Sequence, residues 1–243
     1  MPRLSREALE SYRKEGFYLY HQPLLSPGKF KKLKAIFEEL LEKKGPDDLD
    51  VPHFEEPRLL EFLLDEGVLD LVECILGPDF GLWSSHFISK PPRTGKMTPW
   101  HEDSAYWDGR FDRYEDIVTI WLAIDPATKD NGCMRVIPES HRLGGFSHYV
   151  QMEVPTDRIF TREIDAVDET KAVYFELEPD QCSLHDSRLI HGARANTSDT
   201  RRTGYTMRYF SQHQKLNREH PHNLNHRIWH CRGRNVNNNP VVN

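Results

Sequence analysis

Gly81-Leu82-Trp83-Ser84-Ser85-His86-Phe87-Ile88-Ser89-Lys90 is where the texture of this chain changes. The run alternates in the manner of a strand. Gly77-Pro78 closes the segment before it and Pro91-Pro92 follows it. Downstream, Ile117 to Ile124 is a strongly β-branched run, the composition that suits a pleated surface. Cys133 to Ile137, Ala172 to Leu177, Gln181 to His185, Leu189 to Arg194 and Thr203 to Phe210 are further strand candidates. Turn clusters such as Lys129-Asp130-Asn131-Gly132 and Asn196-Thr197-Ser198-Asp199 separate them.

Upstream the pattern is helical. Ser5 caps a helix that places Ala8, Leu9 and Tyr12 on one face and stops at Gly16. Gly16 to Tyr20 is a short aromatic strand. Ser26-Pro27 opens a second helix with Phe30, Leu33, Phe37, Leu40 and Leu41 at 3-4 spacing, its charges read as a solvated face. Pro57 to Leu64 and Val68 to Leu76 are shorter helices. Helices first, then strands without helical crossovers, predict a mainly β chain of the α+β kind with an antiparallel jelly-roll core, a cupin-like double-stranded β-helix. The expected organisation is one domain over 1–243. Residues 1–80 are mainly helical support, 81–213 the core and 214–243 a polar tail, with 235–243 poorly ordered. Residues 145–168 lack periodicity and are either a lid over a site or a long connection.

The composition narrows the partners. The chain has 243 residues and a formal charge of −6, which argues against a phosphate backbone as the main ligand. Its mean hydropathy is −0.70, and no run approaches the ~18 apolar residues of a membrane span. Met1 to Glu7 has no apolar signal region, so a cytoplasmic location is the expectation. Cys74, Cys133, Cys182 and Cys231 form no Cys-x-x-Cys pair, which argues for free thiols rather than a zinc knuckle.

Within Pro99-Trp100-His101-Glu102-Asp103, His101 and Asp103 are two apart, so on a strand both project from one face. A second histidine from elsewhere would complete two imidazoles and one carboxylate on one side of a metal, the facial arrangement of non-heme Fe(II) oxygenases. Alone the tripeptide is weak, since thirteen histidines among many aspartates produce roughly one His-x-Asp by chance. Three further residues raise it. His191 follows Leu189-Ile190 on an apolar strand that ends at Gly192, a place where a satisfied core histidine is the plainer reading. Arg202 opens the next strand, from which an antiparallel partner can return its guanidinium beside His191; a carboxylate fits that fork bidentately. Lys90 ends the strand quoted first. Surface roles are the plain alternative for both cations, and the obvious one for Arg201.

As a set these segments resemble the phytanoyl-CoA dioxygenase family of Fe(II)/2-oxoglutarate oxygenases over most of the chain. The Ser5–Phe17 opening, Leu25-Ser26-Pro27, Ile88-Ser89-Lys90-Pro91-Pro92 and Thr94-Gly95-Lys96 match in order. So do His101-Glu102-Asp103, Trp121, Asn131-Gly132-Cys133, Ile137-Pro138-Glu139-Ser140-His141, Ile190-His191-Gly192, Asn196 and Arg202. The resemblance implies that His101, Asp103 and His191 ligate iron. It implies that Arg202 holds the distal carboxylate of 2-oxoglutarate, that Lys90 lies close to this co-substrate, and that Trp121 lines its pocket.

It further implies a dioxygenase that uses O2 and 2-oxoglutarate, releases succinate and CO2, is stimulated by ascorbate, and hydroxylates a small molecule. Asp103 stands where halogenating relatives have a small residue, so halogenation is not expected. Arg202 falls at the family's spacing from His191 and not from the competing ligand His185. His191-Gly192-Ala193-Arg194 departs from the usual His-Gly-Ser-Gly, and Glu102 stands where Gln is common. His213, His220, His222, His226 and His230 read as surface residues. Two other classes stay in view: a metal-binding jelly roll that senses or binds without turnover, and a cupin-type metalloenzyme that does not use 2-oxoglutarate. The substrate polarity does not follow from Trp107, Asp108, Arg110 and Phe111 after the metal motif.

Overall fold

The computed structural model describes residues 3–143, 149–151 and 162–242. Helix α1 (Arg6–Glu15) begins where Ser5 Oγ accepts the Ala8 N–H at 3.2 Å and ends at Gly16. Gly16 has φ +85°, and any Cβ there would meet the His141 ring at 2.5 Å. Only glycine satisfies both demands. Strand β1 (Phe17–Tyr20) follows. Helix α2 (Pro27–Lys44) has Ser26 as its cap and buries Leu33, Ile36, Phe37 and Leu40. After short turns come α3 (Leu60–Leu63) and α4 (Glu66–Leu76), the latter capped by Asp65 Oδ1 on the Gly67 N–H at 2.8 Å.

The rest is β2 (Phe80–Lys90), β3 (Thr98–His101), a helical turn α5 (Asp103–Tyr106), β4 (Ile117–Ala123), β5 (Met134–Val136), β6 (Tyr149–Gln151) and β7 (Arg162–Ile164). Then follow β8 (Val173–Tyr174), β9 (Cys182–Asp186), β10 (His191–Ala193), β11 (Arg202–Ser211), β12 (Ile228–Arg232) and β13 (Val241–Val242). A seven-stranded sheet runs β1-β9-β4-β11-β2-β12-β13 and a four-stranded sheet runs β3-β10-β5-β8. The pairings are antiparallel except β12 with β13. This is the expected jelly roll.

Strand alternation separates the two faces of the large sheet. Val118, Ile120 and Leu122 of β4, Leu184 of β9, and Tyr205, Met207 and Tyr209 of β11 pack in one cluster with Leu33 and Phe37 of α2 and Val68 and Leu71 of α4. A fully buried side chain of this kind contributes about 1.5–3 kcal/mol, so the helices are firm supports for the outer face. The intervening residues Trp121, His185, Thr206 and Arg208 turn inward and line a cavity.

The sequence expectations need several adjustments. The 1–80 segment contributes β1 to the large sheet, paired with β9. The 214–243 segment is more than a polar tail: β12 pairs with β2, and β13 with β12. Arg201 is no isolated surface charge, because its guanidinium bonds both Glu38 and Asp125 and so ties α2 to the start of β11. Within 145–168, read as a lid or a long connection, β6 and β7 pair antiparallel; residues 145–148 and 152–161 lie outside the described residues.

Candidate metal centre

His101 ends β3, but Asp103 is not on that strand. It opens the helical turn α5, with Glu102 extended between them at φ −114°, ψ 133°. The extended hinge keeps His101 and Asp103 on one side while the chain changes direction. His191 arrives on β10, where it pairs with His101 of β3. One ligand atom of each of the three residues falls within 4.8 Å of the others. Asp103 Oδ1 stands 3.8 Å from His101 Nε2 and 3.9 Å from His191 Nε2. All three side chains are buried.

The donor set suits a metal ion. His101 Nδ1 lies 2.8 Å from the Pro99 carbonyl and His191 Nδ1 lies 2.9 Å from the Leu189 carbonyl. A carbonyl only accepts, so each Nδ1 carries the proton and each Nε2 presents a lone pair toward the centre. Burial, then the neighbouring His191, push His101 down to about 3, so its imidazole is neutral at physiological pH. Burial penalises the Asp103 carboxylate, but Arg208, His191, His101 and His185 together outweigh it and hold its pKa below the usual range. Arg208 Nε lies 3.4 Å from Asp103 Oδ2, leaving Oδ1 toward the imidazoles.

His185, the competing ligand, sits beside the set rather than in it. Its ring centroid is 5.3 Å from that of His191. Burial pushes it down to about 3, and its Nδ1 has no partner among the described residues.

Arg202 lies in the same cavity, 2% exposed. Its Nε and Nη2 donate to the Gly132 carbonyl at 3.0 and 2.6 Å. The Asn131-Gly132-Cys133 turn is shaped for this: Gly132 has φ +77°, and a Cβ there would meet the Arg194 carbonyl oxygen at 2.4 Å. Nη1 has no partner among the described residues, and no carboxylate pairs with the guanidinium there. Burial lowers its pKa to about 10, still cationic. A buried, uncompensated guanidinium is costly unless an anion joins it. Trp121 flanks it, with the guanidinium carbon 5.5 Å from the indole centroid. Ile88, Thr98 and Met134 line the same cavity.

Lys90 stands opposite Arg202 in the β2–β11 ladder. Its ammonium is held by the Lys96 carbonyl and, at 3.0 Å, by the Arg194 carbonyl, and it does not line the cavity. Arg194 itself is exposed. Glu102 is fully buried, and its backbone N–H donates to Tyr149 Oη at 2.8 Å. His222 is exposed, as read, at the rim of the cavity; His226 departs from the surface reading, being half-buried in the cavity lining with Nε2 2.8 Å from the Trp83 carbonyl. Arg208 is the residue that sequence reasoning missed. It shares strand parity with Arg202, six residues earlier on β11, and that parity was the available signal.

The cavity has a volume of about 530 Å³ and holds the three candidate ligands, Arg202 and an aromatic wall of Trp83, Tyr106 and Trp107. Residues 12–204 match the sequence profile of phytanoyl-CoA dioxygenase (PhyH). The chain belongs to the PhyH family. A PhyH relative in Caenorhabditis elegans, described as a probable phytanoyl-CoA dioxygenase, is 27% identical over 237 residues, spanning 85% of this chain and 75% of that protein. The human peroxisomal phytanoyl-CoA dioxygenase is 31% identical over 147 residues, 58% of this chain and 43% of its own length. Among solved structures, EvdO2 from Micromonospora carbonacea var. aurantiaca complexed with 2-oxoglutarate superposes with a TM-score of 0.72 at 26% identity, over 90% of this chain and 96% of that one. No helix among the described residues is long and apolar enough to cross a membrane.

Proposed function

We propose that this PhyH-family protein is an Fe(II)- and 2-oxoglutarate-dependent dioxygenase that hydroxylates a C–H bond of a small molecule. The observation that carries the reading is the pairing, in one cavity, of the His101–Asp103–His191 set with the uncompensated guanidinium of Arg202. A facial metal centre alone suits several chemistries; a buried cation beside it asks for a dianionic co-substrate. When bound, Fe(II) supplies the O2-dependent decarboxylation of 2-oxoglutarate to succinate and CO2, and ascorbate serves to keep it reduced.

The chain's residues do the rest. His101, Asp103 and His191 would hold the metal with two imidazole nitrogens and one carboxylate oxygen. Arg208 keeps Asp103 ionised and oriented. Arg202 takes the distal carboxylate of 2-oxoglutarate on the edge that Gly132 leaves open, and Trp121 walls that end. Lys90 acts as a positioning residue, fixing the Lys96 and Arg194 carbonyls around the co-substrate end. Asp103 would give the metal a carboxylate ligand in place of a halide, which favours oxygen transfer over halogenation. A cytoplasmic site of action is part of the same proposal; among the described residues all four cysteines are free thiols.

The test is a metabolite screen for stimulated succinate release under Fe(II), ascorbate and O2, followed by mass spectrometry for a gain of one oxygen. Succinate release with an oxygenated product supports the proposal. Metal binding without any succinate release supports a sensing jelly roll, and turnover that persists without O2 supports a metalloenzyme independent of 2-oxoglutarate.

A further inference from the structure

The cavity carries two donors that a metal and 2-oxoglutarate leave unexplained. Trp83 enters it because β2 is bulged: Arg208 of β11 pairs with Ser84 and Tyr209 with Leu82, so Trp83 is an extra residue. An extra residue resets strand parity. Trp83 and Ser84 therefore both line the cavity, while Leu82 packs under the helices. Trp83 is 1% exposed, and its Nε1–H has no acceptor among the described residues. A buried donor without an acceptor is expensive.

Arg110 lies over the Trp83 ring, its guanidinium carbon 4.8 Å from the centroid, and lines the same cavity. Its Nε donates to Asn223 Oδ1 at 2.8 Å and its Nη2 to the His222 carbonyl at 3.2 Å. Both partners are neutral. Of the acidic residues lining the cavity, Asp103 is paired with Arg208, while Asp50 is an exposed carboxylate at the mouth that acts on Arg110 from a distance without bonding it; its neighbour His86, 3.6 Å away, is held neutral by burial. Asp47, also at the mouth, is exposed. No carboxylate pairs directly with Arg110 among the described residues. Burial lowers its pKa to about 10, so it remains a cation.

We propose that Arg110 and Trp83 form a specificity subsite for an anionic group of the substrate, a carboxylate or phosphate carried on a planar apolar frame. The inference rests on the oxygenase reading of this cavity and deepens it. The Arg110 guanidinium supplies the charge and the planar fork that suits an anion with several acceptor oxygens, and the Trp83 ring beneath it fixes its position. The frame packs against Tyr106 and Trp107 of the cavity wall, and Trp83 backs Trp107, their rings meeting edge to face at 4.3 Å.

The test uses Mn(II)-loaded protein with 2-oxoglutarate, free of O2, and titration calorimetry. The probes are indole-3-acetate, cinnamate and phenyl phosphate, each against a neutral counterpart: indole-3-acetamide, cinnamamide and phenol. Binding of at least one anion about tenfold or more tighter than its counterpart is expected, the scale of a charged hydrogen bond. Whether the acids or the phosphate show it identifies the group. That ratio should collapse in Arg110→Gln, return in part in Arg110→Lys, and fall a few-fold in Trp83→Phe. Because the ratio is taken within each variant, loss of folded protein does not mimic the result. No preference in the wild type, or an undiminished one in Arg110→Gln, overturns the subsite. Absence of 2-oxoglutarate binding overturns the oxygenase reading and the subsite with it.

Discussion

Arg208 Nε stands 3.4 Å from Asp103 Oδ2, and this contact orients the only carboxylate of the candidate metal set. Arg208 also lies over Trp107, 5.3 Å from the ring centroid, so its own position is fixed by packing. Arg208→Met should weaken Mn(II) or Fe(II) binding by about 10- to 100-fold, the usual effect of removing a partner of a metal ligand. Arg208→Lys should recover part of it. Unchanged metal affinity in Arg208→Met would remove the arginine from this role.

Gly204 lies where β11 passes Trp121. A Cβ at this position would come within 2.0 Å of the indole Cε2 and Cζ2. Gly204→Ala should therefore displace Trp121 and destabilise the fold by about 1–3 kcal/mol, as overpacking does. Because Trp121 flanks Arg202, 2-oxoglutarate affinity should fall with it. Urea denaturation and calorimetry on the same variant check both, and a variant as stable as wild type contradicts the geometry.

Glu139 has φ +65°, in the left-handed region that strains a side chain with a Cβ. Its ion pairs with Lys14 and Arg142 are exposed and long, 3.7 and 3.9 Å, and contribute little. Glu139→Gly should raise stability by up to about 1 kcal/mol. A fall in the unfolding midpoint would show that the side chain matters more than the strain.

Stability should fall on acidification below pH ~6.5, the ordinary histidine range. Burial pushes His53 down to about 3, and the side chain is 1% exposed. The folded state then binds fewer protons than the unfolded state through this window, so stability is complete above it and is lost as pH drops. His53 alone contributes a slope of about 1.4 kcal/mol per pH unit. The unfolding midpoint of metal-free protein, followed from pH 8 to 4.5, checks the sign, and His53→Gln should flatten the curve. A midpoint that rises on acidification contradicts it.

Much of this was legible locally. Ser5, Ser26-Pro27 and Gly16 mark helix ends because capping depends on a few adjacent residues. His101 and Asp103 could be paired because the extended Glu102 preserves the two-residue period even where β3 gives way to α5. What was not legible depends on long-range register. The bulge that turns Trp83 into the cavity leaves no composition signal. Nor does β12 announce itself within a polar tail; it exists because the edge of β2 is there to pair with it. His141 is similar: its ring packs on Gly16, while Ser140 Oγ accepts the Ile190 N–H at 2.8 Å, steadying the strand just before His191. Lys90 was read correctly as a strand end, but the loop carbonyls that hold its amine are visible only in the fold.

The most direct test of the central claim is calorimetric binding of 2-oxoglutarate to the metal-loaded protein under anaerobic conditions. Wild type should bind Mn(II), then one 2-oxoglutarate per chain. His191→Ala should lose the metal. Arg202→Met should keep the metal and bind 2-oxoglutarate at least about tenfold more weakly, the loss expected when a buried charged hydrogen bond is removed. Undiminished 2-oxoglutarate affinity in Arg202→Met, or undiminished metal affinity in His191→Ala, would contradict the account.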